Sequence, residues 1–258
     1  SLNPTEIILK LLRIEASINI VAEQQEVTTA KRRALADEAD ELVRLRKEHP
    51  DSVDIRILQA MIAIYLDDPN TAERELKLAI DECEESLRAE MQLSRFYYRT
   101  KRIAEAISTC QSACENHSEV AEPWLSLSGL YIANKDYDSA RSCLQQALGV
   151  VVGKWEKRSV SMSLALLELT QGDRPSGISI LSEVAEQDER EIRARTLLLG
   201  IREVQEDQVK VRELIDEIQE AEGESGLMWR LYQAALWLAS DEWRSKQQDI
   251  AAYLQYCI

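Results

Sequence analysis

Aromatic residues make up only 5% of the 258 residues, and the chain holds one phenylalanine, eight glycines and five prolines. So few strand-favouring aromatics and turn formers leave little from which to build hairpins or sheets, and a β-rich fold is not expected. Long apolar runs are missing too. Crossing a bilayer takes roughly 20 apolar residues in a row, and the stretch Ile7 to Ile14 is already interrupted by Lys10 and Arg13. Neither a transmembrane helix nor a signal peptide is expected, so no membrane insertion.

Histidine occurs twice, as His49 and His117, and the Gly-rich phosphate loop, the G-x-S-x-G elbow and H-E-x-x-H are all absent from the sequence. Carboxylates such as Asp81 and Glu82 fall on a solvated face, without the burial that would make one a general acid. No catalytic residue, no metal site and no cofactor is therefore read, and the chain is not expected to be an enzyme. Basic residues are outnumbered, 31 against 46 acidic ones, and the net charge of −15 opposes nucleic acid and anionic membrane surfaces. The five cysteines are an odd number without paired loops. That argues against a disulfide framework and favours a reducing, cytoplasmic setting, with the periplasm as the other compartment the sequence admits.

What the chain has is helix formers: Ala, Leu, Glu, Arg and Gln. Between Glu122 and Leu148, the residues Trp124, Leu127, Ser128 and Tyr131 recur at i, i+3, i+4 and i+7, one side of an α-helix. Asn134, Lys135 and Asp136 form a turn, Asp138 is the expected cap, and Ala140, Leu144 and Ala147 line one side of a second helix. Shifting this hairpin by 34 residues superimposes Ala140 on Ala106 and Ala72, and Ala147 on Ala113 and Ala79. The same shift matches Leu144 with Cys110 and Leu76, Ser128 with Ser94 and Ala60, and Tyr131 with Tyr97 and Ala63. Small residues meet small residues in every copy, and a fixed period of this length marks a solenoid. Cys110, Cys114 and His117 share a helix face, but Cys110 stands in a packing column, so the trio reads as core rather than as a zinc site.

The pattern resembles the tetratricopeptide repeat (TPR), W-x2-L-G-x2-Y then A-x3-F then P. Trp124, Leu127, Ser128, Tyr131, Ala140 and Leu144 occupy it, with Ser for Gly, Leu for Phe, and Val152 where proline is usual. The resemblance implies an all-α, right-handed superhelical solenoid of antiparallel helix pairs, and a segment of a longer protein. One continuous domain over 1–258 is expected: an irregular pair over 1–52, then repeats over 53–86, 87–120, 121–157, 158–191, 192–225 and 226–258. In the irregular pair, Asn3 caps a helix running to about Gln25. Thr28 or Thr29 caps a second with Ala36, Ala39, Leu42 and Leu45 inward. Beyond Leu148 the pattern slips by three residues, so that Gly177, Leu181 and Val184 continue the columns. The last helix, Asp249 to Ile258, is apolar over much of its surface. It is expected to cover the groove, to join another copy of the chain, or to await a further repeat.

In proteins of this kind the first helix of each repeat lines a concave groove. The resemblance thus implies a partner-facing set: Ile57, Met61 and Tyr65, then Arg88, Arg95, Tyr98 and Arg99, then Leu125 and Ile132, then Met162 and Leu166. Two readings of the arginines stand side by side. Either they clamp an acidic group of a peptide through paired N–H donors, or they answer neighbouring carboxylates. The function expected is a non-catalytic scaffold that binds a protein or peptide in the groove. The alternatives are a ligand-sensing regulatory array, or a periplasmic segment of a cell-envelope or polysaccharide-export assembly.

Overall fold

A computed structural model describes residues 4–22, 29–82 and 86–256. The predicted caps at Asn3 and Thr28, the predicted helix end at Gln25, and Cys257 and Ile258 lie outside the described residues. All regular structure among the described residues is helical. The chain forms two compact units, Ser1–Cys143 and Leu144–Ile258. The first holds α1 (Pro4–Ala22), α2 (Thr29–Glu48), α3 (Val53–Tyr65), α4 (Pro69–Glu82), α5 (Leu87–Arg99), α6 (Ile103–Asn116), α7 (Ala121–Ala133) and the start of α8 (Tyr137–Val150). The second holds the rest of α8, then α9 (Lys154–Gln171), α10 (Arg174–Gln187), α11 (Ile192–Leu199), α12 (Arg202–Gln205), α13 (Gln208–Glu222), α14 (Met228–Ala239) and α15 (Gln247–Tyr256).

Three hairpins of the first unit turn in the same way. Asp67, Lys101 and Lys135, spaced by the 34-residue period, adopt the left-handed conformation with φ of 62°, 64° and 61°. The next residues, Asp68, Arg102 and Asp136, donate their N–H to the carbonyls of Ala63, Tyr97 and Tyr131 at 2.9, 2.8 and 2.9 Å. This bond closes the end of one helix and aims the chain back along it. In the second unit Gly172 takes this place with φ of 92°, and Asp173 N–H reaches Glu168 O at 2.9 Å. The residue after the turn then starts the next helix: Asp68, Asp136 and Asp173 accept from the N–H of Thr71, Ser139 and Ser176. The cap of α8 is therefore Asp136 and not Asp138. Asp138 already lies inside the first turn, where it pairs with Arg141 at 3.0 Å.

Between the arms of each hairpin, small residues face each other. Ala60, Ser94 and Ser128 on the first helices are buried, and so are Ala72, Ala106 and Ala140 on the second. Ser94 Oγ donates to Ala106 O at 3.0 Å, across the crossing of α5 and α6. In the second unit Ala165 and Gly177 meet so closely that a Cβ on Gly177 would lie 3.1 Å from Ala165 O and 2.6 Å from Leu169 Cγ. One turn further on, Leu76, Cys110, Leu144 and Leu181 are completely buried, each leucine contributing about 1.5–3 kcal/mol.

Elsewhere the structure departs from the pattern. In α2 the buried stripe is Leu35, Leu42 and Leu45, packed with Ile14 and Ile18 of α1. Ala36, expected inward, is exposed, because one residue along a helix rotates the side chain by about 100° away from Leu35. The first helix expected from Ile192 breaks at Gly200, and Gln205 of α12 donates its side-chain amide to the freed Leu199 O at 2.9 Å. In α15, Ile250 is buried, and Tyr253 meets Trp229 edge-on and stacks on Trp237, with ring centroids 5.3 and 5.4 Å apart. Much of the apolar character read in the last helix is thus spent on α14, whose own Leu231 and Leu238 remain exposed.

Charged clips join neighbouring hairpins. Glu73 of α4 accepts from Arg102 at 2.5 Å, Lys77 at 2.8 Å and the Tyr97 hydroxyl at 3.1 Å. The Arg102 hydrogen bond, followed by that of Lys77, holds the Glu73 carboxyl down at about 2, from an ordinary 4.5. A carboxyl depressed in the folded state stabilises fully above its unfolded value and ceases to do so as pH falls through its folded one. The Glu73 contribution is thus present above about pH 4.5 and lost on the way to about pH 2. Glu73→Gln is expected to be less stable than wild type near neutral pH and to converge with it on acidification, as read from urea midpoints across that window. Ala106→Leu is expected to destabilise by about 1–3 kcal/mol through overpacking, measured by urea unfolding followed by circular dichroism.

Candidate functional site

The helices α1, α3 and α5 lie side by side in the first unit, and the first-helix face they share with α7 opens into a cleft of about 640 Å³. Its walls come from Met61, Ile64 and Tyr65 of α3, from Met91, Gln92, Arg95, Tyr98 and Arg99 of α5, and from Ser126, Gly129 and Leu130 of α7, with Asn19 of α1 at one edge. Hairpin stacking sets this geometry. Once Ala60, Ser94 and Ser128 face the second helices, residues on the opposite side of α3, α5 and α7 must face away from them.

Five of the expected residues meet in this cleft: Met61, Tyr65, Arg95, Tyr98 and Arg99. Ile132 is 40% exposed on α7 and Leu125 is half-buried, and neither lines it. Ile57 is fully buried with Ala79 and Ala89, so it is a core residue and not a contact residue. Met162 is likewise buried, within the core of the second unit beside Leu181 and Leu198, while Leu166 on the same helix is exposed. The reason is positional: Ile57, Met91 and Met162 occupy the same place in their helices, and there the side chain points into the packing between neighbouring helices. Positions four and eight residues further along, such as Arg95 and Arg99, are exposed.

The three arginines divide. Arg88 bridges Glu15 of α1 and Asp54 of α3, both at 2.6 Å, and so ties three first helices together. Arg95 reaches Glu122 of α7 at 3.1 Å, with both side chains more than half exposed. Arg99 lies over the Tyr65 ring, 5.7 Å from its centroid, and makes no ion pair among the described residues. The ion-pair reading therefore accounts for Arg88 and Arg95, and Arg99 keeps its donors for something else.

Cys110 and Cys114 are joined in the core by Cys143, and desolvation pushes all three thiols up, Cys110 to about 11 and Cys143 to about 12. His117 faces Glu90 instead, with Nε2 3.3 Å from Oε2. No group of three or more His, Cys, Asp or Glu among the described residues is arranged to hold a metal ion. Sequence reasoning missed Arg56 and Glu75, a buried charge pair between α3 and α4 at 3.1 Å. Arg56 stands in the column that holds Trp124 in the matched repeat, so the pattern itself concealed it.

The family model of the tetratricopeptide repeat protein 21 ARM repeat matches residues 70–201, just over half of the chain. The chain belongs to this family. Among solved structures, yeast Tom70 is similar with a TM-score of 0.57 and 15% identity, over 94% of this chain and 46% of that one. PilF of Pseudomonas aeruginosa is similar with a TM-score of 0.50 and 18% identity, over 93% and 99% of the two chains. No curated protein matches the sequence. The repeat fold of this family is typical of protein-interaction scaffolds and is generally non-catalytic. No helix among the described residues is long and apolar enough to cross a membrane.

The division of the arginines has a measurable consequence. Arg88→Ala is expected to cost up to about 1 kcal/mol of stability through loss of two partly exposed ion pairs, while Arg99→Ala leaves the urea midpoint unchanged.

Proposed function

We propose that this chain is a non-catalytic scaffold that holds a short peptide segment of a partner protein in the cleft formed by α3, α5 and α7. One observation carries the reading: this cleft of about 640 Å³ combines apolar walls with an arginine that makes no ion pair among the described residues. Its size is that of small-ligand sites, and its makeup suits a few side chains of an extended peptide. Met61, Tyr65 and Tyr98 offer apolar surface, with methionine adaptable in shape and tyrosine rigid. Arg99 offers a planar pair of N–H donors, suited to a carboxylate. The preferred segment therefore carries an acidic residue beside an apolar one. Because the helices are packed before the partner arrives, binding bears little of the entropy of ordering the site.

A peptide-display selection on the immobilised chain tests this. The selected peptides are expected to pair an acidic with an apolar residue, and to bind at least about tenfold more weakly to Arg99→Glu, through loss of a charge-assisted hydrogen bond, and to Tyr98→Ala, through loss of buried aromatic surface. Peptides that bind both variants as well as wild type would place the site elsewhere.

A further inference from the structure

A second cleft, of about 660 Å³, lies between α2, α3 and α4 and shares no lining residue with the first. Its floor is the buried charge network. Glu75, 5% exposed, accepts from Arg46 at 2.6 Å, from Arg56 at 3.1 Å and from Arg74 at 3.0 Å. Arg56 also pairs with both carboxylate oxygens of Glu82. Gln59 turns its carbonyl oxygen to Arg46 at 3.0 Å, and Asp68 accepts from Thr71 N–H at the start of α4.

These bonds leave an unequal remainder. Both oxygens of Glu75 and both of Glu82 are taken, and so is the side-chain oxygen of Gln59. Among the described residues, Arg46 keeps Nε and Nη2, Arg74 keeps Nη1, Gln59 keeps its amide N–H groups and Lys47 keeps its ammonium. The side chains of this cleft therefore offer more spare donors than acceptors, with Asp68 the one lining carboxylate outside the arginine network, in a protein whose net charge is −15. Ala39, Val43, Ile62, Ala63 and Leu66 make the remaining wall apolar.

We infer that this cleft is a binding site for a small amphiphilic anion, a molecule with a carboxylate or phosphate head and an apolar body. The head accepts from Lys47 and from the donors that Arg46 and Arg74 do not spend on Glu75 and Gln59. The body lies along Val43, Ile62 and Leu66. Asp68 is the one lining carboxylate outside the arginine network, and the spare donors of Arg46, Arg74 and Lys47 outnumber it, so an anion fits better than a cation. Glu75 has a positioning role: it draws Arg46 and Arg74 from different helices to one point, so the head meets two guanidinium groups already oriented.

Calorimetric titration of the 258-residue chain with octanoate and octyl phosphate tests this, with octan-1-ol and octylamine as controls. Saturable binding of one or both anions is expected, weakening as salt is raised, with the controls at least about tenfold weaker, as charged hydrogen bonds require. The tighter of the two anions identifies the head group. Val43→Glu, a half-exposed position, puts a carboxylate in the cleft and is expected to weaken anion binding at least tenfold, while Tyr98→Ala, in the other cleft, leaves it unchanged. Should Val43→Glu lose helicity, Lys47→Glu at an exposed position serves instead. Absence of binding by both anions, octan-1-ol binding as tightly as octanoate, or indifference to both glutamate substitutions overturns the inference.

Discussion

The close crossing of two helices within each hairpin governs the rest of this structure. Where Ser94 meets Ala106, the side chains are so small that the backbones approach until a serine hydroxyl reaches the opposite carbonyl. Larger residues would hold the helices apart and alter the angle at which the next hairpin stacks. The left-handed turns at Asp67, Lys101 and Lys135 serve the same end. Each reverses the chain within about two residues, which a long loop could not do with the same precision of direction.

Ion pairs act both within hairpins, as between Arg56 and Glu75, and between them. Arg88 and Arg102 bind carboxylates on other helices, Arg158 binds Asp188 and Glu191 between α10 and α11, and Glu73 gathers an arginine, a lysine and a tyrosine. Many basic groups have a carboxylate within reach, Arg88 and Arg102 among them. Both candidate sites hold a cation that makes no ion pair among the described residues: Arg99 over Tyr65, and Lys47 beside Arg46 and Arg74.

Residue identity at the groove follows from which side of a helix is left over. Ile57 and Met162 fall on the flank of the first helix that packs against its neighbours, Met91 is buried there yet reaches the cleft wall, Met61 is shared between core and cleft, and Arg95 and Arg99 are exposed. The family resemblance treats all of these positions as partner-facing. In this chain, packing has claimed one of them where Ile57, Met91 and Met162 stand, while Leu125 at the same place is only half-buried. The three arginines look alike in sequence, and only the carboxylates brought near by folding distinguish them: Glu15 comes from 73 residues away to meet Arg88.

The sequence alone determined the helical class, the 34-residue period, the small-residue columns at Ala72, Ala106 and Ala140, and the slip that brings Gly177 into line. Those features are local or periodic, and local propensity and side-chain size write them directly into the order of residues. Tertiary structure alone decided that Ala36 faces solvent and Leu35 does not, that Asp136 and not Asp138 caps α8, and that Arg56 and Glu75 are buried together. It also decided that Arg99 lies over Tyr65 and makes no ion pair among the described residues. Each of these depends on what lies across from a residue rather than beside it in the chain, and a one-dimensional pattern carries no record of its opposite neighbour.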